Sequence, residues 1–254
     1  RRSVEEVALM FWGIGLRLGR AVSQSVMGER LGHVMDVTDV DPHARAYRNR
    51  SELSPHSDPG DMLSFLCIRP AMTGGVSRVV SSLSVFEEIR RERPDLLVVL
   101  ARGFRYHRFG EEGPGDDPVT PHRVPVFSEC NGLVSGRFVR EYVEIAADKD
   151  HSIVLTDVER EAIGYLEATA NRPDLALDST MAAGEAVVAN NFTVFHARTA
   201  FTDDPDHRRH LLRLWLAADP PRPVVPETMT YPGEPGIPPQ WGRTPSFASR
   251  FDSQ

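Results

Sequence analysis

Apolar residues recur along this chain with two periods, and the switches between them outline its elements. At the start, SVEEVALMFW sets Val4, Val7, Ala8 and Phe11 at helical spacing, and Ser3 with Glu6 fits a capping box. Gly13, Gly15 and Gly19 are expected to break that helix. Weak alternation over 33–40 predicts a strand. The stretch 41–60 reads as irregular, because prolines at 42, 55 and 59 exclude a regular helix. Strands are expected over 61–69 and 76–81, with a turn at Thr73-Gly74-Gly75, then amphipathic helices over 83–93 and 95–101. Two further strands, 102–109 and 123–127, flank GEEGPGDDPVTPH, whose Gly, Pro and acid content suggests a lid over Gly110–Pro121. Asn131-Gly132 is a hairpin signal. Helices are expected over 137–147 and 156–170, the second opened by Thr156 with Glu159 three residues on. The clearest strand patterns come last: VVANNFTVF at 187–195 and HLLRLWLA at 210–217, joined through the turn-rich loop Thr202–Asp206. The tail from Pro220 holds nine of the 20 prolines and is expected to wrap the surface or cap the fold.

Many short strands with helical insertions, and no regular strand–helix alternation, disfavour a doubly wound parallel sheet. The expected fold is mainly β with flanking helices, an antiparallel jelly-roll barrel. A length of 254 residues suits one domain over 1–254, with its core at about 30–218 and the Pro-rich tail at 220–254. A net charge of −7 argues against nucleic acid as a partner. Cys67 and Cys130 are too few and too far apart for a disulfide framework or a zinc ribbon. No run of 18 apolar residues suggests a membrane span, and no leader pattern is visible, so a cytoplasmic location is expected. The chain opens on Arg1 and not Met, which leaves its natural start open.

The chemistry concentrates in two places. His56-Ser57-Asp58 follows a loop and precedes a strand; if it is locally extended, residues i and i+2 aim an imidazole and a carboxylate at one point. His196 ends a strand and supplies a second imidazole. Two imidazoles and one carboxylate on one face of a metal leave open positions, as in non-haem Fe(II) oxygenases. Arg209 follows His196 across a turn and onto the next strand. Arginine stays charged in an apolar barrel and pairs bidentately with a carboxylate. Each motif alone is common by chance, an HxD and a lone strand-end histidine above all, and the competing reading of Arg209 is a surface cluster with Arg208 and His210. Their conjunction carries the weight.

With those pieces in order, the sequence resembles the taurine dioxygenase / clavaminate synthase-like superfamily of Fe(II)- and 2-oxoglutarate-dependent oxygenases. The matching segments are His56-Ser57-Asp58, Gly74-Gly75-Val76-Ser77, Asn190-Asn191, HARTAF at 196–201 and Arg209 to Trp215. The resemblance implies a double-stranded β-helix, with His56, Asp58 and His196 as iron ligands and Arg209 on the distal carboxylate of 2-oxoglutarate. It sets Ser77 where a family threonine hydroxyl assists the same cosubstrate, and gives Arg198 an orienting or structural role. It also implies consumption of O2, release of succinate and CO2, and a small-molecule substrate such as an amino acid or natural-product intermediate. Related halogenases lack the carboxylate; here Asp58 is present, which favours hydroxylation, with desaturation, epoxidation or cyclisation as variants.

Two other classes compete. A jelly-roll binding protein without turnover would have been at liberty to lose the triad and Arg209. A zinc hydrolase would need a general base near the motif, and none is evident. On the strand 210–217, Arg213 and Trp215 share a face with Arg209, with Trp215 read as barrel packing. A second buried Arg needs an anion, so Arg213 is expected to meet an anionic group of the substrate unless an internal acid takes it.

Overall fold

The structure, a computed structural model, describes residues 2–38, 48–204, 206–231, 233–240 and 242. In chain order its elements are α1 (Val4–Leu18), β1 (Arg20–Ala21), β2 (Leu31–Val34), β3 (Leu53–His56), β4 (Met62–Arg69), β5 (Thr73–Gly74), β6 (Ser77–Ser81), α2 (Ser82–Glu92) and α3 (Pro94–Arg102). There follow β7 (Phe127–Cys130), β8 (Leu133–Gly136), α4 (Arg140–Lys149), α5 (Asp157–Ala170), β9 (Ala176–Ser179), β10 (Ala186–Asn190), β11 (Val194–Arg198), β12 (Phe201–Thr202) and β13 (His210–Ala217).

Two antiparallel sheets form the core. One runs β1-β13-β4-β10, with β2 also paired to β13; the other runs β3-β11-β6-β9. This is the double-stranded β-helix, with helices packed outside. Strand β13 shows how period 2 builds it. Leu212, Leu214 and Leu216 point outward and bury against Phe11 of α1, while Arg209, Leu211, Arg213 and Trp215 point into the space between the sheets. On the outer side of the second sheet, Val80 and Phe195 pack with Val85, Ile89, Leu96, Leu100 and Leu166 from α2, α3 and α5.

Local chemistry explains most elements. The capping boxes at Ser3/Glu6 and Thr156/Glu159 are both formed. The β7–β8 hairpin turns on Asn131 (φ 52°) and Gly132 (φ 76°), the left-handed pair a two-residue loop requires.

Several elements differ from expectation. Helix α1 passes through Gly13 and Gly15 and stops only at Gly19. A Cβ on Gly15 would lie 2.5 Å from Leu214 Cδ1, so that glycine serves close packing and does not break the helix. The expected turn at Thr73-Gly74-Gly75 includes a two-residue strand, β5, paired with β12. The stretch expected to be irregular contains β3, because Leu53–His56 pairs with β11 in spite of Pro55. Residues 102–109 and 123–126 are not strands of a sheet, and Phe127 opens β7: Phe104 and Val124 form one isolated bridge, His107 and Val119 another. The run 187–195 is two strands in two sheets, split at Asn190-Asn191, and β9 had no signal of its own. Residues 39–47, Pro205 and the tail beyond Gly242 lie outside the described residues. Packing extends past 30–218 on both sides, since Phe11, Val22, Tyr231 and Ile237 are buried.

Gly74 (φ 72°) packs β5 onto β12, where a Cβ would sit 2.2 Å from Ala200 O. Gly74→Ala is expected to lower stability by about 2 kcal/mol or more in chemical denaturation; an unchanged midpoint would contradict this packing.

Candidate metal centre

His56 and His196 face each other as a registered pair across β3 and β11. Their rings stand 4.1 Å apart between centroids, tilted by 45°. His56 Nδ1 lies 2.8 Å from Ser54 O, which puts the proton on Nδ1 and leaves the lone pair on Nε2. His196 Nε2 is 3.7 Å from Asp58 Oδ2. Each of the three residues offers a ligand atom within 4.8 Å of the others, the spread expected of donors around one ion. Among the described residues this is the one such group of histidine, cysteine and carboxylate.

Asp58 stands on the loop after β3 and is held from every side. Its N–H donates to Asn191 Oδ1 at 3.3 Å, and its carbonyl accepts from Asn191 Nδ2 and from Arg137 Nη1. Its carboxylate Oδ2 accepts from Trp215 Nε1 at 2.7 Å and from Arg213 Nη1 at 3.4 Å. Burial pushes this carboxyl up. Arg213, then His196 and His56, then the Trp215 hydrogen bond outweigh it, and the pKa falls from 3.8 to about 2. Burial first, then the neighbouring His56, lowers His196 from 6.5 to about 3. His196 is therefore neutral at pH 7: its approach to Asp58 is no ion pair, and its lone pair is available. Its buried Nδ1 has no hydrogen-bond partner among the described residues. A charged carboxylate, the neutral His196 and the Nε2 of His56 fit a divalent iron, zinc or cobalt ion.

The site opens into a cavity of about 520 Å³ between the sheets. Leu63, Phe65, Val79, Val187 and Leu211 line its walls, and Arg209 and Ser77 also border it. Arg209 is buried, and burial lowers its pKa. Its Nη1 has no hydrogen-bond partner among the described residues. Gly75 makes room for it: a Cβ there would lie 3.1 Å from Arg209 Nε. Arg198 is also buried, donating Nη2 to the carbonyls of Asn49 and Ser51. Its guanidinium lies 4.8 Å from the Phe201 ring centre and that of Arg209 lies 5.2 Å from it. Burial, then repulsion from Arg209, lowers Arg198 to about 10.

The six residues singled out in the sequence, His56, Asp58, His196, Arg209, Ser77 and Arg213, all line this one cavity. Arg213 has an internal acid in Asp58, and Gln24 Oε1 accepts from its Nε at 2.7 Å. Its burial alone thus does not demand a substrate anion. Trp215, read as packing, is a donor to Asp58. Asn191, Arg137 and Gln24 were missed as site residues; Asn191 was marked only by the Asn190-Asn191 pair. The Gly110–Pro121 loop does not line the cavity, which it reaches only through the preceding Phe109. Arg108 ties that loop to Asp117 O and Thr230 O, and Glu111 and Thr120 are buried.

Comparison with known proteins agrees with this geometry. A family model described as "Taurine catabolism dioxygenase TauD, TfdA family" matches residues 2–215. FR-33289 synthase of Streptomyces rubellomurinus is 30% identical over 222 residues, covering 84% of this chain and 65% of the synthase. A uridine-5'-phosphate dioxygenase of a Streptomyces species is 30% identical over 159 residues, covering 62% of this chain and 56% of that protein. The chain thus spans less than two thirds of the length of these curated relatives. In structure it is similar to asparagine oxygenase, with a TM-score of 0.61 and 19% identity over 91% of this chain and 69% of that one. It is also similar to the non-heme iron oxygenase OrfP in complex with Fe and alpha-ketoglutaric acid, with a TM-score of 0.58 and 13% identity over 82% and 64%.

The acid behaviour of His196 gives a test. The unfolded chain takes up this proton near pH 6.5 and the folded chain only near 3, so the folded state binds fewer protons between those values. Its contribution to stability is complete above pH 6.5 and is lost as pH falls toward 3. Metal-free wild type is expected to lose about 2 kcal/mol more than His196→Gln between pH 7 and pH 5 in urea titrations. Parallel losses in the two proteins would contradict a buried, neutral His196. The fold and the matched span together make this chain a member of the TauD/TfdA family.

Proposed function

We propose that this chain is an Fe(II)- and 2-oxoglutarate-dependent dioxygenase that hydroxylates a small molecule. The observation that carries the proposal is the His56/Asp58/His196 group facing the same cavity as a buried Arg209 with an unpartnered N–H. One solved neighbour is in complex with Fe(II) and succinate and another with Fe and alpha-ketoglutaric acid, groups that the donors present here would fit.

His56, Asp58 and His196 would hold the metal on one face. Arg209 would take the distal carboxylate of 2-oxoglutarate, with the Ser77 hydroxyl beside it. When bound, Fe(II) with 2-oxoglutarate and O2 supplies oxidative decarboxylation to succinate and CO2, coupled to insertion of one oxygen atom into a C–H bond. The protein's own part is positional. Arg213 and Trp215 keep Asp58 charged and oriented, and the apolar walls exclude water from the reacting centre. Asp58 occupies a ligand position that a halide would need, so hydroxylation is favoured over halogenation. With purified protein, succinate formation is expected to require both Fe(II) and 2-oxoglutarate, each omitted in turn. Product formed without 2-oxoglutarate would overturn the assignment and return the site to hydrolytic or binding functions.

The substrate is proposed to be anionic. Four buried guanidinium groups, Arg137, Arg198, Arg209 and Arg213, line the cavity against one buried carboxylate, Asp58. The cosubstrate offsets part of that excess, and an anionic substrate would offset more. One relative is named for uridine 5'-phosphate, an anion, and two solved neighbours hold hydroxyasparagine and hydroxyarginine, each of which carries a carboxylate. At saturating Fe(II), Arg213→Met is expected to raise the substrate KM by roughly tenfold or more and to leave the 2-oxoglutarate KM nearly unchanged. A rise in the 2-oxoglutarate KM instead would assign Arg213 to the cosubstrate.

A further inference from the structure

The family match ends at residue 215, yet the chain beyond it reaches back to the metal loop. Gly236 N donates to Pro59 O at 2.6 Å, directly after Asp58. Thr228 O accepts from Arg137 Nε at 3.5 Å, while Nη1 of the same guanidinium donates to Asp58 O. Tyr231 and Ile237 are 2% and 1% exposed and pack in one cluster with Trp215, the donor to the Asp58 carboxylate. Thr230 lines the cavity itself.

Arg137 belongs to a short segment that grips the same loop. Ser57 N donates to Phe138 O at 2.8 Å, and Phe138 N donates to Ser57 Oγ at 3.0 Å. Arg137 is 3% exposed, and burial lowers its pKa. A buried guanidinium spent on backbone carbonyls is a costly way to hold a surface tail. It is a reasonable way to hold a metal ligand, because partners that orient a ligand strongly affect metal affinity.

We propose that the tail segments 226–231 and 233–240 are an integral brace of the metal centre and that Arg137 is the positioning residue coupling them to Asp58. Gly236 is the second coupling point. It has φ 92°, and a Cβ would meet Ser23 O at 2.7 Å and Val22 Cγ2 at 2.8 Å, so a side chain there lifts the tail from Pro59. The tail works through Pro59 and the Trp215 cluster, Arg137 through the Asp58 carbonyl, and both set the direction of one carboxylate.

The proposal rests on the metal reading of His56, Asp58 and His196. Its test uses Co(II) as the probe, titrated into the 254-residue chain and followed by the visible d–d absorption. Arg137→Met is expected to weaken Co(II) binding by about tenfold or more and to alter the band shape, with Arg137→Lys restoring part of both. Gly236→Ala is expected to shift affinity the same way. Arg222 precedes the brace, donates to Ser135 Oγ at 3.0 Å and to Val134 O at 2.9 Å, and does not border the cavity. Arg222→Ala is expected to lower Tm and leave Co(II) affinity unchanged. Should Arg137→Met fail to fold, Arg137→Lys and Gly236→Ala carry the comparison. Wild-type affinity and spectrum in the Arg137 and Gly236 variants would overturn the proposal alone, as would equal weakening by Arg222→Ala. A wild-type chain that takes up no Co(II) would overturn the metal reading with it.

Discussion

A charged carboxylate buried between two sheets is the constraint on which the site depends. His56 and His196 belong to one sheet, and Trp215 and Arg213 to the other. Asp58 lies on a loop between them and touches both sets. Burying an unpaired carboxylate would neutralise it or unfold the loop. Arg213 and Trp215 prevent that at the side chain, and Asn191 and Arg137 fix the backbone that carries it. The split of the run 187–195 follows from this arrangement. Asn191 must leave β10 to reach Asp58 and Gly60, and the chain then enters β11 in the facing sheet, where it delivers His196.

The interior charge is opposite in sign to that of the whole chain. A net charge of −7 belongs to the surface and bears on solubility and partners. Inside the cavity, guanidinium groups outnumber carboxylates, and they occupy distinct places. Arg209 and Arg198 lie by the Phe201 ring. Arg213 lies beside the Asp58 carboxylate and over Trp215, its guanidinium 4.5 Å from the ring centre. Arg137 lies behind the metal loop. Positive groups at separate points suit separate anions, while the apolar walls leave room for an uncharged reacting centre.

Elements with strong local signals were legible in the sequence: the capped helices α1 and α5, the Asn131-Gly132 hairpin, the apolar run of β4 and the alternation of β13. Strand β3 was hidden by Pro55, because its pairing with β11 is decided by tertiary context. Residues 102–109 have strand composition but find only isolated bridges, so composition misled there. Among site residues, His56, Asp58, His196 and Arg209 carried a spacing that points to their chemistry. Arg213 and Trp215 were legible as inward-facing through alternation alone, although the hydrogen bond from Trp215 to Asp58 was not. Arg137 and Gln24 lie 79 and 34 positions from Asp58 in sequence and act through contacts made only in the folded chain. The tail read as a Pro-rich wrap; that it meets Pro59 depends on one backbone hydrogen bond at Gly236.

The central claim is that Asp58 is a buried, charged metal ligand, and anaerobic calorimetric titration of Fe(II) tests it most directly. Wild type is expected to bind one Fe(II) per chain, and Asp58→Ala to bind it more than about tenfold more weakly, with the fold intact by circular dichroism. Equal affinity in Asp58→Ala would mean that Asp58 does not hold the metal and would contradict the account.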